Sequence, residues 1–174
     1  NVNSQEWLPT APAVFEWGER EQYRKLRALA IRRFSSSTNP VVAEHLLKLT
    51  LLELADRETL SALEPKAQII RNSFEGPNKQ NDPHLVAWGR CVLALLAYRQ
   101  GNLDTAEELA RLSLKNSVES GRNNWNRIIL TMIDLKRNKH TAEHDKTLAD
   151  IREQVRKWEA IPLNLEAAGR LAWS

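Results

Sequence analysis

Helical spacing of apolar residues is the feature that most constrains this fold. Apolar residues recur three and four positions apart nearly everywhere along the chain, with no clear alternation of period two. Strands depend on that alternation, and a membrane span needs roughly 18 consecutive apolar residues, a run that the sequence does not contain. With 174 residues, 42% of them hydrophobic, the chain suits one domain with a sizeable core. The sequence therefore predicts an all-α protein.

Turn and capping signals divide this pattern into about eight helices in antiparallel pairs. Residues 1–18, which contain two prolines, are expected to be an irregular lead. Asn39-Pro40 and Asp82-Pro83 each predict a helix start, because a good capping residue precedes a proline in the first turn. The predicted helical segments are 19–34, 41–54, 58–74, 84–100, 104–116, 124–137 and 141–160, and a last partial helix is expected after Pro162.

An internal repeat aligns two parts of the chain at a shift of 36 residues. The match pairs GNLDTAEELARLSL (101–114) with RNKHTAEHDKTLAD (137–150), and upstream Leu93 aligns with Ile129. A single helix pair cannot bury its apolar face, so repeated pairs stack side by side into a solenoid. We therefore expect one helical-repeat domain over 1–174, a fragment of a longer protein, with its best repeats at 84–118 and 122–158.

The segment 84–118 resembles a tetratricopeptide repeat (TPR). Leu93-Ala94 supplies the family's Leu-small pair on the first helix, Ala106 the small residue on the second, and Gly101 lies in the turn. The sequence departs from the family at several positions, among them Arg90, where a Trp is usual. The resemblance implies a TPR-like α-α superhelix, a solenoid whose first helices line a concave groove that binds peptides.

A longer stretch is similar to the helical region that follows the kinase domain in certain bacterial serine/threonine protein kinases. The shared features are a Tyr-containing helix, a T-x-P-x-x-A-E helix start, a Trp before a Tyr-Arg-x-Gly turn, and a terminal Trp segment. The similarity implies a signalling protein whose kinase chemistry lies outside this chain, since the sequence has no Gly-rich loop, HRD or DFG segment. The matching positions are Thr38, Pro40, Ala43, Glu44, Trp88, Tyr98, Arg99, Gly101 and Trp173.

The TPR resemblance also implies which side chains a partner would contact. The best-known TPR groove binds a peptide carboxylate with a Lys/Asn/Arg clamp, but Cys91 and Leu95 occupy two of the clamp positions here. We therefore expect a different protein or peptide partner, and we expect a further helix, around Leu171 and Trp173, to cover part of the groove. The candidate groove residues are His45, Lys48, Trp88, Tyr98, Arg99, Asn124 and Arg127.

Tryptophan has two uses in such an array. It fills gaps between stacked helices, and it dominates protein interfaces because it buries a large area at little rotamer cost. We expect Trp88, Trp125 and Trp158 to be mainly packing residues, with one of them facing a partner.

The stretch His140-Thr-Ala-Glu143-His144 matches H-x-x-E-H, a spacing that some zinc peptidases place on a helix. Zinc also needs a third protein ligand and an open position, and the short remainder of the chain offers no evident acidic ligand. The repeat alignment puts both histidines on the polar side of a turn. We predict solvated repeat surface there, with no metal and no cofactor. The alternative is a small helical metal-dependent hydrolase that uses His140, Glu143 and His144.

Charge and cysteine content favour a non-catalytic chain. The net charge is only +3, and the basic stretch 22–33 has the spacing of an ordinary amphipathic helix. An RNA- or membrane-associated helical module is therefore the second alternative, and we expect contact with neither. Cys91, the only cysteine, is expected to be buried and inert. No carboxylate pair, Ser-His-Asp arrangement or phosphate-binding loop is evident.

These observations together predict a protein–protein interaction or regulatory module that is not an enzyme. The expected setting is a soluble, cytoplasmic fragment, with any membrane anchor outside this chain. The partner's identity and the oligomeric state are left open.

Overall fold

The computed structural model describes residues 3–16, 18–76, 79, 82–115 and 120–159, without the side chains of residues 120, 155, 158 and 159. Every regular element in these ranges is helical, which confirms the all-α prediction. A 3-10 helix, Ser4–Trp7, precedes eight α-helices: α1 (Thr10–Glu16), α2 (Arg20–Phe34), α3 (Pro40–Thr50), α4 (Arg57–Glu75), α5 (Pro83–Gln100), α6 (Leu103–Lys115), α7 (Ser120–Lys136) and α8 (Ala142–Glu159). No helix in the described ranges combines the length and apolarity needed to cross a membrane.

Ser4–Trp7 and Thr10–Glu16 are helical, so the predicted irregular lead over 1–18 is wrong for most of its described residues. α1 accommodates Pro12 because this proline lies in the first turn, where a backbone N–H has no intrahelical acceptor. Phe15 packs edge-on against Tyr23 of α2, with ring centroids 5.4 Å apart. Trp7 meets Phe34 in the same way at 5.6 Å. Aromatic packing against α2 therefore decides the conformation of a segment whose local signals are weak.

α3 and α5 begin with the same cap. The side chains of Asn39 and Asp82 each accept a hydrogen bond at 2.9 Å from the backbone N–H two residues further on. In both helices the next residue is a proline, which has no N–H to leave unsatisfied. The two predicted helix starts are therefore confirmed.

The helices pack as neighbours in chain order. The most extensive contact joins α5 to α6, across the turn at Gly101, whose φ of 86° is left-handed and suits glycine. α3 packs against α4, and α6 against α7. α3 also contacts α5, and α5 contacts α7, so these three helices lie side by side. Close approach of α4 to α5 requires Gly89, since a Cβ there would lie 2.9 Å from Cγ2 of Ile70.

The repeat of 36 residues holds in the first helices and fails at the turn that follows. α5 ends at Gln100 and α7 at Lys136, and the aligned Leu93 and Ile129 are both buried. α8 then begins three residues later than alignment with α6 requires. As a result Ala106 is fully buried while the aligned Ala142 is exposed. The shared Thr-Ala-Glu therefore occupies different positions in the two helices, and the predicted correspondence is wrong there.

Candidate functional site

An apolar groove lies between α5, α7 and the residues that follow the end of α3. Its volume is about 190 Å³, below the roughly 300–1,000 Å³ that is typical of small-molecule sites. A groove of this size accommodates side chains of a protein segment better than a cofactor. The residues that line the apolar groove are Leu51, Leu52, Leu95, Arg99, Trp125, Ile128, Ile129 and Met132.

One end of the apolar groove depends on an early helix end. α3 stops at Thr50 and not near residue 54 as predicted, so Leu51 and Leu52 leave the helix. The guanidinium of Arg99 donates hydrogen bonds to both of their carbonyl oxygens, at 3.2 and 3.4 Å. This bond pattern fixes the two leucines beside α5. Burial lowers the pKa of Arg99, and its enclosed Nε has no acceptor among the described residues.

Lys48 and Trp88, predicted to line a groove, belong instead to a buried polar cluster. Nζ of Lys48 lies 2.6 Å from Oε1 of Glu44, one turn earlier on α3, and 3.4 Å from the centre of the Trp88 ring. The guanidinium of Arg122 lies 5.5 Å from the same ring. All four residues are less than a tenth exposed. Burial raises the pKa of Glu44, and the charge of Lys48 opposes that rise.

His45 is covered by the N-terminal 3-10 helix. Its Nδ1 lies 3.0 Å from Oγ of Ser4, and its Nε2 lies 3.5 Å from Oε2 of Glu44. Burial, and then the charge of Lys48, lowers the pKa of His45 to about 4, so the ring is neutral at pH 7. His45, which the resemblance assigned to the groove, is thus in contact with residues of this chain.

The other predicted groove residues lie on different faces. Tyr98 is partly buried, with Nζ of Lys136 lying 5.1 Å from its ring centre. Asn124 is buried and donates to Oε1 of Gln154 at 2.5 Å, which joins α7 to α8. Arg127 is exposed beside α8. Of all the predicted groove residues, only Arg99 lines the apolar groove.

The apolar members of the groove were missed because the prediction selected polar positions. A sequence signal for them exists, since Trp125, Ile128, Ile129 and Met132 recur at i, i+3, i+4 and i+7. The same spacing describes an ordinary core face. Only the packing shows that three of these side chains are partly exposed in the groove.

His140 and His144 lie at the start of α8, and only His144 is on the helix. Nδ1 of His144 accepts from the backbone N–H of Thr141 at 3.1 Å, and its Nε2 lies 3.1 Å from Oδ2 of Asp134. His140 contacts Asp145, with Nε2 at 2.9 Å from Oδ1. These contacts resemble a capping box, in which the third helical residue reaches back to the cap. Among the described residues no three His, Cys, Asp or Glu side chains are grouped to hold a metal.

The remaining predictions concern Cys91, the tryptophans and the predicted last helix. Cys91 is buried and its pKa is raised to about 12, as expected of an inert thiol. Trp88 is a packing residue, and Trp125 is partly buried in the wall of the apolar groove. The Trp158 side chain, Pro162 and the predicted last helix around Leu171 and Trp173 lie outside the described residues.

Two larger cavities are lined partly by charged and polar side chains. One, of about 650 Å³, lies between α4 and α5 and is lined by Arg57, Ser61, Glu64 and Gln100 among others. Glu64 already accepts hydrogen bonds from Arg71 and Gln100. The other, of about 450 Å³, lies between α7 and α8 and includes His144 and Asp134, which bind each other. Glu64, Asp134 and His144 are therefore already bonded to other side chains of this chain.

No protein-family model, curated protein or solved structure matches the chain. The class that the described residues define is an all-α protein with an apolar groove between α5, α7 and the residues that follow α3.

Proposed function

We propose that this chain is a TPR-like α-solenoid that binds a short apolar segment of a protein partner in the apolar groove. The observation that carries the proposal is the groove itself, with Trp125 and Met132 partly exposed in its wall. Aromatic residues are enriched where interfaces are strongest, and a flexible Met adapts to differently shaped partners.

The order of the helices supports the solenoid part of the proposal. In stacked helix pairs, the first helices of successive pairs are adjacent, and each second helix packs against its own first helix. The contacts of α3 with α5 and of α5 with α7 follow the first rule. The contacts of α3 with α4, α5 with α6 and α7 with α8 follow the second.

The lining of the apolar groove supports binding over catalysis. Arg99 is the one charged group that lines it, and its guanidinium is bound to the backbone of Leu51 and Leu52. A reaction by acid–base or nucleophilic catalysis needs a titrating or nucleophilic group in contact with the substrate. We also propose that the module belongs to a larger signalling protein, because its sequence is similar to the region that follows the kinase domain in certain bacterial serine/threonine kinases.

A peptide selection with matched variants tests the proposal. The full chain is used to select binding segments from a random peptide display library, and dissociation constants are measured for the selected segments. Met132→Glu places a charge in the apolar groove and is expected to weaken binding at least tenfold, because desolvating a carboxylate there is costly. Leu54→Glu makes the same chemical change at a side chain that is 75% exposed and outside the lining, and it should leave binding unchanged.

The proposal fails in two ways. Either no segment is selected, or the selected segments bind the Met132→Glu and Leu54→Glu variants equally well. Thermal unfolding of both variants confirms that any loss of binding is not a loss of fold.

A further inference from the structure

We propose that the cavity between α4 and the end of α5 binds a small molecule that carries one carboxylate group on an apolar body. Its volume of about 650 Å³ lies within the roughly 300–1,000 Å³ that is typical of small-molecule sites. This proposal concerns a different cavity and a different ligand from the proposed function, and it does not rest on that function. The residues that line this α4–α5 cavity are Arg57, Leu60, Ser61, Glu64, Arg99 and Gln100.

One wall of the α4–α5 cavity is a single face of α4. Four of the lining residues lie on this helix at positions i, i+3, i+4 and i+7, counted from Arg57. The other wall is the end of α5. Nε2 of Gln100 donates to Oε2 of Glu64 at 3.2 Å, which joins the two walls. The cavity therefore extends along α4 from its first residue to this hydrogen bond.

Arg99 brings to the cavity a positive charge that no described carboxylate balances. Burial lowers the pKa of its guanidinium, and the charges that oppose this effect belong to Tyr98 and Tyr23. Nη2 donates to the carbonyls of Leu51 and Leu52, and Nε is enclosed. Nη1 is not enclosed and bonds to none of the described residues, so it is the donor that a ligand can reach.

Arg57 supplies a second positive charge, at the start of α4. It is the first residue of that helix, where a positive charge opposes the helix dipole, so this charge does not stabilise α4. The side chain is exposed, and it forms no ion pair with a described residue. The neighbouring Asp56 accepts a hydrogen bond from the backbone N–H of Thr59 at 2.7 Å. Both walls of the cavity thus carry a guanidinium without a carboxylate partner among the described residues.

Glu64 is the one acidic side chain in the lining, and both of its carboxylate oxygens are already bonded. Oε1 accepts from Arg71 at 2.8 Å, and Oε2 accepts from Gln100. The bond from Arg71, more than that from Gln100, holds the pKa of Glu64 below its usual value, so this group stays charged. The lining therefore carries two positive charges and one negative charge. A ligand with a single negative charge balances the difference.

A carboxylate on an apolar body matches this lining better than a phosphate does. The guanidinium of Arg57 can donate two parallel hydrogen bonds to a carboxylate, and the charge of Arg99 adds to the attraction. A phosphate group carries about −1.5 to −2 at pH 7, which exceeds the charge difference. Leu60 and the alkyl stems of the two arginines offer apolar surface to the rest of the ligand.

Titration with three matched probes tests the proposal. Benzoate carries the single charge, benzamide has nearly the same shape without it, and phenylphosphonate carries the phosphate-like charge. Dissociation constants are measured by NMR on the ¹⁵N-labelled full chain at pH 7, with sodium chloride holding the ionic strength constant. The variant Arg57→Gln removes one of the two charges. Its control is Arg33→Gln, the same change at an exposed arginine at the end of α2.

We expect saturable binding of benzoate, about tenfold tighter than that of benzamide, because only benzoate pairs with the guanidinium groups. Arg57→Gln should weaken benzoate binding about fivefold, while Arg33→Gln leaves it unchanged. Thermal unfolding without ligand checks that both variants keep the fold. The proposal is overturned if benzoate does not saturate, if benzamide binds as tightly, or if the two variants bind benzoate equally. Tighter binding of phenylphosphonate than of benzoate would overturn the choice of a carboxylate.

Failure of this test leaves the apolar groove and its peptide selection untouched. A failed peptide selection, in turn, leaves the difference between benzoate and benzamide to be explained by the α4–α5 cavity alone.

Discussion

Nζ of Lys48 lies 2.6 Å from Oε1 of Glu44, and both side chains are enclosed where α3 packs on α5. Two opposite charges at this distance attract strongly, yet each loses its hydration on burial. The raised pKa of Glu44, caused first by burial, shows that desolvation of the carboxylate outweighs the attraction of Lys48.

Removing one member of this pair is expected to lower the free energy of unfolding far more than removing both. Lys48→Met leaves the carboxylate of Glu44 buried without its counter-charge and should lower the free energy of unfolding by about 3–5 kcal/mol. The double variant Glu44→Leu/Lys48→Met removes both charges and should recover most of that loss. Denaturant unfolding of the two variants measures the difference. A double variant as unstable as Lys48→Met would contradict this account of the pair.

His45 predicts how stability changes with pH. Its pKa is about 4 in the folded chain and about 6.5 when unfolded, so the unfolded chain takes up the proton first as pH falls. The stability that depends on neutral His45 is complete above pH 6.5 and is lost as pH falls towards 4, by at most about 1.4 kcal/mol per pH unit. Glu44 contacts the ring, and because burial raises its pKa, its own protonation favours the folded chain as pH falls and acts in the opposite direction.

The control for that effect is His45→Gln, which has no proton to gain. Unfolding free energies of the parent and the variant, measured between pH 7 and 5, should diverge in slope, with the parent losing stability faster. Parallel curves would mean that His45 is solvated and titrates normally.

The two histidines at the start of α8 should differ in importance. His144→Ala removes the contacts with Thr141 and Asp134 and is expected to cost about 0.5–2 kcal/mol, the usual value of a helix cap. His140 is exposed, and His140→Ala should change stability by less than about 0.5 kcal/mol. Thermal unfolding with and without a chelator measures both. Stoichiometric zinc by elemental analysis, with equal damage from the two substitutions, would instead support the H-x-x-E-H site.

A larger side chain at Gly89 is expected to destabilise the contact between α4 and α5. A Cβ there meets Cγ2 of Ile70 at 2.9 Å and Cε1 of Phe74 at 3.2 Å, so Gly89→Leu should lower stability by about 1–3 kcal/mol. Adding Ile70→Ala makes room and should restore part of the loss. Chemical denaturation gives both values, and additive losses in the double variant would show that the two positions do not touch.

The helices were predictable where local chemistry decides them. The helix starts at Asn39 and Asp82 and the turn at Gly101 are signals that a few neighbouring residues carry, and the structure confirms them. α1 was missed because its stability comes from contacts such as that of Phe15 with Tyr23, which are distant in sequence. The different positions of Thr-Ala-Glu in α6 and α8 were missed because this tripeptide suits more than one position in a first turn.

The candidate site was predicted less well, for a physical reason. Lys48 and Glu44 carry charges, and charged residues are normally solvated, so nothing local indicates that α3 and α5 enclose them. Met132 and Ile128 are the converse case. They have the spacing of buried core residues, and only the early end of α3 leaves their side chains partly exposed. Exposure of a given side chain depends on how whole helices pack, which one sequence does not display.

Met132 is the only methionine in the chain and lies in the wall of the apolar groove, which makes it a direct reporter of groove occupancy. With methyl-¹³C methionine, the full chain gives one methyl NMR signal for the groove. Titration with a selected segment should move that signal in step with binding. A segment that binds the chain while the Met132 signal stays unchanged would contradict the claim that the apolar groove is the binding site.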